Sequence, residues 1–382
     1  MKILHLMLAC FYIDNYSYQE NYLPKYHKLQ GNDVKIVASL FTFDENGKGS
    51  MLKSASEYVN EYGIPVSRLE YAPGKTSCRF RKYIGLKKEI EEFSPDIIFI
   101  HGVQFADITI VENYCKEHPK VAVYVDNHSD FSNSATNWIS RHVLHRIIWK
   151  HYAKKINPYV KRFYGVLPAR VDFLVNEYKL PKEKVSLLVM GADDEAVQKA
   201  KNKDVYEEIR SSLGIAKDDI LIMTGGKIDQ FKTQTLLLME AVKKLNKSNV
   251  KLIVFGSVTP ELKEKVNELC DNNIVKYIGW IQSKDSYKYF ATSDLVVFPG
   301  RHSVFWEQVA AQGKPMIVKH WDGTTHVDYN GNVRFLYNDS VDEIESVLKD
   351  IIENGKIEEM KRVAENASVN FMYSSIAKRS IV

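Results

Sequence analysis

Short apolar runs alternate with amphipathic helical segments along all 382 residues, and this predicts an α/β protein built from two doubly wound domains. Two further observations support it. The length exceeds what one ordinary core fills. The alternation also breaks at Leu180-Pro181 and then starts again, as at a passage between domains.

In the first half the predicted strands are Lys2 to Ala9, Asp33 to Ser39, Asp96 to His101, Val121 to Asp126 and Gly165 to Leu167, with helices between them and a short helix over Phe173 to Tyr178. The second set is Ile220 to Met223, Lys251 to Phe255, Ile274 to Tyr277, Leu295 to Phe298, Met316 to Val318 and Val333 to Leu336. Helices such as Leu262 to Cys270 and Lys284 to Ala291 separate its members, and Val341 to Phe371 is helical and charged. These Rossmann-like halves give domains over 1–180 and 181–364, with a C-terminal helix over 365–382 expected to pack back on the first. Two such units leave a cleft between them.

At 45% hydrophobic and 26% charged residues the chain is globular and not disordered. Fifty-two basic against 48 acidic side chains give a net charge of +4, too mild to imply nucleic acid. The four cysteines are scattered, without metal spacing, and read as reduced thiols of a cytoplasmic protein. His5 interrupts the apolar start, which suits a first buried strand better than a signal peptide. No stretch approaches a bilayer-spanning length.

The sharpest local signal lies between Asp219 and Val242. A buried strand, Ile220-Leu221-Ile222-Met223, runs into Gly225-Gly226-Lys227, then Lys232, then a helix beginning near Thr233. Open α/β sheets bind ligands at the carboxyl ends of their strands. Glycines admit a phosphate close to the backbone, two ammonium groups supply counter-charge, and the helix start adds a positive dipole end. The arrangement suits a diphosphate; plain connection chemistry is the alternative.

Gly226-Lys227, Lys232, Val254-Phe255-Gly256, Val275 to Trp280, Ser293 to Pro299, Glu307 and Gly313-Lys314-Pro315-Met316-Ile317 occur in the order seen in GT-B glycosyltransferases of the retaining family 4 type, which the second half resembles. In the first half, Tyr18-Gln19-Glu20-Asn21 with Gly31 to Val34, and Asn127-His128-Ser129-Asp130 after a strand, are similar to the acceptor domain of such enzymes. The resemblance implies a nucleotide-sugar donor, favouring UDP, bound by the C-terminal domain, and a glycan or lipid-linked glycan acceptor, with no metal and no cofactor. A role in surface-polysaccharide or capsule synthesis rests on the resemblance alone.

Lys227 and Lys232, with the amides of Gly225 and Gly226, would stabilise the charge growing on the departing diphosphate. Glu307 would accept the ribose hydroxyls. Gly256 ends the neighbouring strand on the donor side; Trp280 and Ile281 would frame the base, a core tryptophan being the alternative. Gly300, His302, Ser303 and Val304 open a helix whose amides could cradle the diphosphate, with an N-cap at Ser303 as the plainer reading. On the acceptor side stand Gln19, Glu20, Asn127, His128 and Asp130, with His128 placed to orient a hydroxyl. The chain departs from the family pattern in three places. Tyr16-Ser17 replace a Gly-Gly pair, Lys227 stands where arginine is common, and the first of two glutamates spaced by eight is missing, Pro299 or Gly300 standing there.

The segment Arg141 to Arg162 is basic and interleaved with aromatics, and Leu144, Ile147, Ile148 and Tyr152 suit one apolar helix face. It fits either an anionic membrane surface at the inner face of the cell membrane or a solvated face over a core helix. A sugar-nucleotide epimerase and a degenerate nucleotide-sugar binding protein are the alternatives to a transferase.

Overall fold

A computed structural model describes residues 1–44 and 48–382. The chain divides into two compact units, residues 1–189 with 376–382, and residues 190–375.

The first unit is an eight-stranded sheet. Its strands are β1 (Lys2–Met7), β2 (Asp33–Ser39), β5 (Ser56–Val59), β6 (Pro65–Leu69), β7 (Ile97–His101), β8 (Ala122–Asn127), β9 (Val160–Gly165) and β10 (Val185–Leu187), and a separate hairpin pairs β3 (Phe41–Phe43) with β4 (Gly49–Met51). The sheet order is β10-β9-β8-β7-β1-β2-β6-β5, parallel except for β5 against β6. The order reverses at β1, so the carboxyl ends of β1, β7 and β8 flank a topological switch point. The run Ile-Ile-Phe-Ile of β7 is buried along its whole length, as a central parallel strand covered on both faces must be.

The second unit is a six-stranded, wholly parallel sheet: β11 (Ile220–Gly225), β12 (Val250–Phe255), β13 (Val275–Tyr277), β14 (Leu295–Phe298), β15 (Met316–Lys319) and β16 (Val333–Leu336). Its order, β13-β12-β11-β14-β15-β16, reverses beside β11. The helix Gln234–Leu245 buries Leu236, Leu238, Met239, Ala241 and Val242 against the sheet in a 3.6-residue rhythm. It ends at Asn246, which takes the left-handed conformation asparagine tolerates.

The departures from the sequence reading have physical causes. The strand expected at Gly165 to Leu167 lies five residues earlier, because Pro168 at the first helical position turns Leu167 into a helix entry, and Lys161 and Arg162 had disguised the true strand as basic surface. The chain passes between units after Val189 and not at Leu180, since β10 pairs with β9 and extends the first sheet. The terminal segment joins the first unit from Ile376; residues 365–375 stay with the second, where Phe371 O accepts from Ala192 N. The closing helix is two helices, Val341–Glu353 and Ile357–Ala367, separated at Gly355, which has φ +62°. Arg141 to Arg162 is a wide π-turn helix (Ser140–Trp149), an α-helix (Lys150–Ile156) and the start of β9; Leu144, Ile148 and Tyr152 pack on the core while Ile147 faces out.

Three histidines of the first unit are buried as neutral rings. Burial pushes the pKa of His27 down to about 4 and that of His145 down to about 4, and holds His5 well below the usual histidine value. In the unfolded chain these rings take up protons below about pH 6.5, whereas the folded chain resists them, so stability is present above that value and drains as pH falls towards 4. The unfolding free energy is expected to decline over that window with a proton uptake that His27→Gln reduces; denaturant titrations at half-unit pH steps measure the slope.

Candidate active site

In the second unit the ends of β11 and β12 meet backbone to backbone. Gly226 N donates to Phe255 O at 3.0 Å, Gly256 N to Gly279 O at 2.8 Å and Ile228 N to Ser257 O at 2.8 Å. A Cβ on Gly225 would fall 2.2 Å from the Phe255 ring, and one on Gly256, at φ +128°, only 1.9 Å from Gly226 O. Both positions therefore exclude a side chain, and the surface they form is bare peptide.

A pocket opens over this surface, lined by Gly225, Gly226, Lys227, Lys232, Gly300 and Arg301. An adjoining pocket runs on along Gly256, Trp280, Ser303 and Val304, again with both lysines on its wall. The Lys227 ammonium lies 3.4 Å from Asp229 and is well exposed. Lys232 is more enclosed; burial, with the like charges of Lys227 and Arg301, pulls its pKa below the ordinary lysine value against the pull of Asp229. The site thus concentrates positive charge over peptide amides beside the switch point, an arrangement fitted to a polyanion. Arg301, which sits over the Phe231 ring at 5.3 Å, completes the cationic wall. The sequence reading passed it over as a loop residue, and only its place one residue after Gly300 could have marked it.

The pocket brings together Gly225, Gly226, Lys227, Lys232, Gly256, Trp280, Gly300, Ser303 and Val304 of the predicted donor residues. Trp280 is 67% exposed, which removes the core alternative and leaves its face open to a stacking ring. Ile281, half-buried, does not line either pocket. The helix Phe305–Ala311 starts at Val304 without a side-chain cap bond, so Ser303 does not act as its cap.

Glu307 sits elsewhere than expected. It is wholly buried; its Oε1 lies 2.8 Å from His302 Nε2 and 2.7 Å from His326 Nε2. Burial would raise its carboxyl, but the two imidazoles outweigh that and hold it well below the usual carboxylate range. It faces inward because helix Phe305–Ala311 also turns Trp306 and Val309 into the core. His302 is correspondingly committed through Nε2 to this carboxylate. His302, Glu307 and His326 are also the one group among the described residues that could hold a metal ion. Their nitrogen–oxygen separations are hydrogen-bond lengths, so the geometry is that of two ring donors on one carboxylate oxygen.

In the first unit, His128 stands just past β8 with 27% of its side chain exposed, its Nε2 3.6 Å from Asp126 Oδ2. Gln19 Nε2 donates to the same oxygen at 3.0 Å. Burial opposes charging of His128, yet Glu20 and Asp126 raise its pKa above the ordinary histidine value. Asn127 and Asp130, named from the sequence as acceptor-side residues, are occupied in shaping the loop. Asn127 is fully buried and bonds Gln104 and Ser129, while Asp130 accepts from Ser132 N and pairs with Arg170 at 3.2 Å. All four cysteines are free thiols.

With this geometry in place, residues 205–369 match the family model of glycosyl transferases group 1. A curated relative, an uncharacterized glycosyltransferase of Methanocaldococcus jannaschii, is 22% identical over 157 residues, 39% of this chain and 40% of its own length, so the match spans about two fifths of that relative. A glycosyltransferase from Rickettsia africae superposes with a TM-score of 0.69 at 13% identity, over 99% of this chain and 96% of the other. The HepE protein of Anabaena, in a crystal structure with UDP, gives 0.66 at 16%, over 99% and 98%. The fold is GT-B.

Two substitutions test the local account. Gly256→Ala is expected to lower the thermal midpoint by several degrees, because its Cβ collides with a carbonyl and not with a flexible side chain. Glu307→Gln is expected to lower unfolding free energy by about 1–3 kcal/mol, since two buried ring donors lose their anion. In that variant UDP affinity of the folded protein should stay within about threefold of the parent. A large affinity loss at unchanged stability would restore Glu307 to the ribose.

Proposed function

We propose that the protein transfers a sugar from a nucleoside diphosphate sugar, with UDP the favoured nucleotide, to a hydroxyl of a glycan or lipid-linked glycan, with retention at the anomeric carbon. The single observation that carries this is the cationic pocket of Lys227, Lys232 and Arg301 over the bare peptide of Gly225, Gly226 and Gly256. Breaking the anomeric C–O bond places negative charge on the departing diphosphate. Preorganised cations there lower the barrier, because the charge they meet grows in the transition state. Three cations on one wall make a metal dispensable for this step. Trp280 offers its open face to the base and backbone groups around Ile278 and Gly279 its edge. The solved structure of a GT-B protein holding UDP supports the nucleotide.

His128 is assigned to the acceptor side. Glu20 and Asp126 favour its protonated, hydrogen-bond-donating form, which suits it to fixing an oxygen, and the acceptor hydroxyl gives up its proton to the leaving phosphate. The exposed Trp138, Ile139 and Ile147 beside the basic residues 141–155 favour an acceptor held at an anionic membrane surface from the cytoplasmic side. Among the described residues no helix is long and apolar enough to cross a membrane.

A thermal-shift panel of UDP, GDP, ADP and their sugar conjugates tests the donor. UDP compounds are expected to raise the melting point with the logarithm of their concentration above Kd, and Lys232→Ala or Arg301→Ala to remove most of the shift. Turnover of Lys232→Ala is expected to fall about a hundredfold or more, and proton NMR of the product should show the donor's anomeric configuration. Absence of any nucleotide-induced shift defeats the proposal. Conversion of the donor to its epimer without an acceptor moves the assignment to an epimerase.

A further inference from the structure

Behind His128 the first unit carries a file of buried imidazoles. His101 Nδ1 lies 2.8 Å from Asp126 Oδ2, the oxygen that also faces His128 and Gln19. His101 Nε2 is 3.0 Å from His5 Nδ1, His5 Nε2 is 3.0 Å from His27 Nδ1, and His27 Nε2 reaches Ser380 Oγ at 3.0 Å and Ala377 O at 3.1 Å. The three rings are at most 1% exposed, and Phe99 stacks against His5. Four elements, β1, β7, β8 and the helix Gln19–Leu29, together with the terminal helix, thus place hydrogen-bonding groups end to end through an apolar interior.

The file has a direction. Asp126 is wholly buried, and burial alone would raise its carboxyl, but His101 and His128 hold it well below the usual carboxylate range. An ionised oxygen 2.8 Å away requires His101 to present Nδ1–H. With neutral rings, His101 Nε2 is then bare and accepts from His5 Nδ1–H, and His5 Nε2 accepts from His27 Nδ1–H; at the far end the Ser380 hydroxyl donates to Ala377 O at 2.9 Å and lies 3.0 Å from His27 Nε2. Each ring then holds one proton. The reverse direction would set a ring lone pair against the carboxylate. Glu20, Cys10 and Arg170 are the other titratable groups that face the Asp126–His128 pair.

We propose that His101 is a positioning residue: it pins the Asp126 carboxylate that faces His128, and the His5–His27 file behind it fixes the tautomer in which it does so. The proposal rests on the acceptor-side reading of His128 and adds to it the means by which that ring keeps its anion. The helix of the chain terminus closes the file, with Ser380 Oγ and Ala377 O both within hydrogen-bond reach of His27 Nε2.

Nitrogen-15 NMR of histidine-labelled full-length protein tests the file without any substrate. His5, His27 and His101 should each show the Nδ1–H tautomer near pH 7, the minority form of free histidine. Asp126→Asn should lower the His128 pKa by about one unit or more. In turnover of a UDP sugar, His101→Leu should lower kcat at least tenfold with donor KM nearly unchanged, and His101→Asn, whose amide N–H replaces Nδ1–H, should recover most of it. A purely structural role predicts the opposite order, leucine being the better fit to an apolar interior. Nε2–H tautomers, or an unmoved His128 pKa in Asp126→Asn, overturn the proposal. If no UDP sugar is turned over, the transferase reading fails while the NMR result still decides this one.

Discussion

Each unit depends on a wholly buried carboxylate whose close partners are imidazole rings. Taking an ionised carboxylate out of water costs several kcal/mol, and the cost is recovered only by close partners of the right kind. Asp126 has His101 and His128; Glu307 has His302 and His326. Among the described residues no lysine or arginine pairs with either. In both places one carboxylate oxygen takes the contacts while the other, Asp126 Oδ1 or Glu307 Oε2, is left without a protein partner. Such a group tolerates little movement of its neighbours, so the loops after β8 and β14 are held by electrostatics as well as by packing.

This constraint explains how two mobile kinds of segment become fixed walls. The loop from Pro299 to Val304 connects a buried strand to a helix of only seven residues, too short to hold its own geometry. His302 ties it to Glu307, and Glu307 to His326 in the connection between β15 and β16. Gly300 and Arg301, just upstream, then present backbone and charge to the pocket from a tethered position. On the other wall the glycines do the corresponding work: with Gly226 and Gly256 in direct peptide contact, β11 and β12 end flush, and the ammonium groups face the pocket over backbone that carries no side chains.

The sheets were legible because parallel strands buried on both faces are written as unbroken apolar runs; Asp33–Ser39, Leu295–Phe298 and Val333–Leu336 fall where the pattern put them. Strands that break this rule were lost. Pro65–Leu69 carries Arg68, whose guanidinium is buried by bonds to Tyr12 O, Ser39 O and Asp14, and β9 opens with lysine and arginine. The lysines and glycines of the pocket were legible because their chemistry is local to one strand end. Glu307 was misjudged because a carboxylate's partners, here two histidines, one of them nineteen residues away, leave no mark in its own neighbourhood. The file of His5, His27 and His101 was invisible for the same reason: its members come from β1, the helix Gln19–Leu29 and β7, and only the pairing of β1 with β7 and the packing of that helix on β1 bring them into line.

The cationic pocket has the opposite character from the buried carboxylates, and the contrast bears on function. Asp126 and Glu307 are compensated within the fold, whereas Lys232 stands near Lys227 and Arg301 with Asp229 as the one opposing charge in its balance, and its proton is held less tightly than a lysine's should be. Like charges gathered in a partly buried pocket are destabilising; Asp229 relieves part of this, and an anion from outside would relieve the rest. A fold that pairs its interior anions within itself, yet gathers three cations at one hollow, has placed positive charge where a diphosphate would meet it. The relief is greatest when that diphosphate carries its full charge. In the proposed transfer it would therefore grow as the bond to the sugar lengthens, which is the condition for binding energy to lower a barrier instead of merely tightening the ground state.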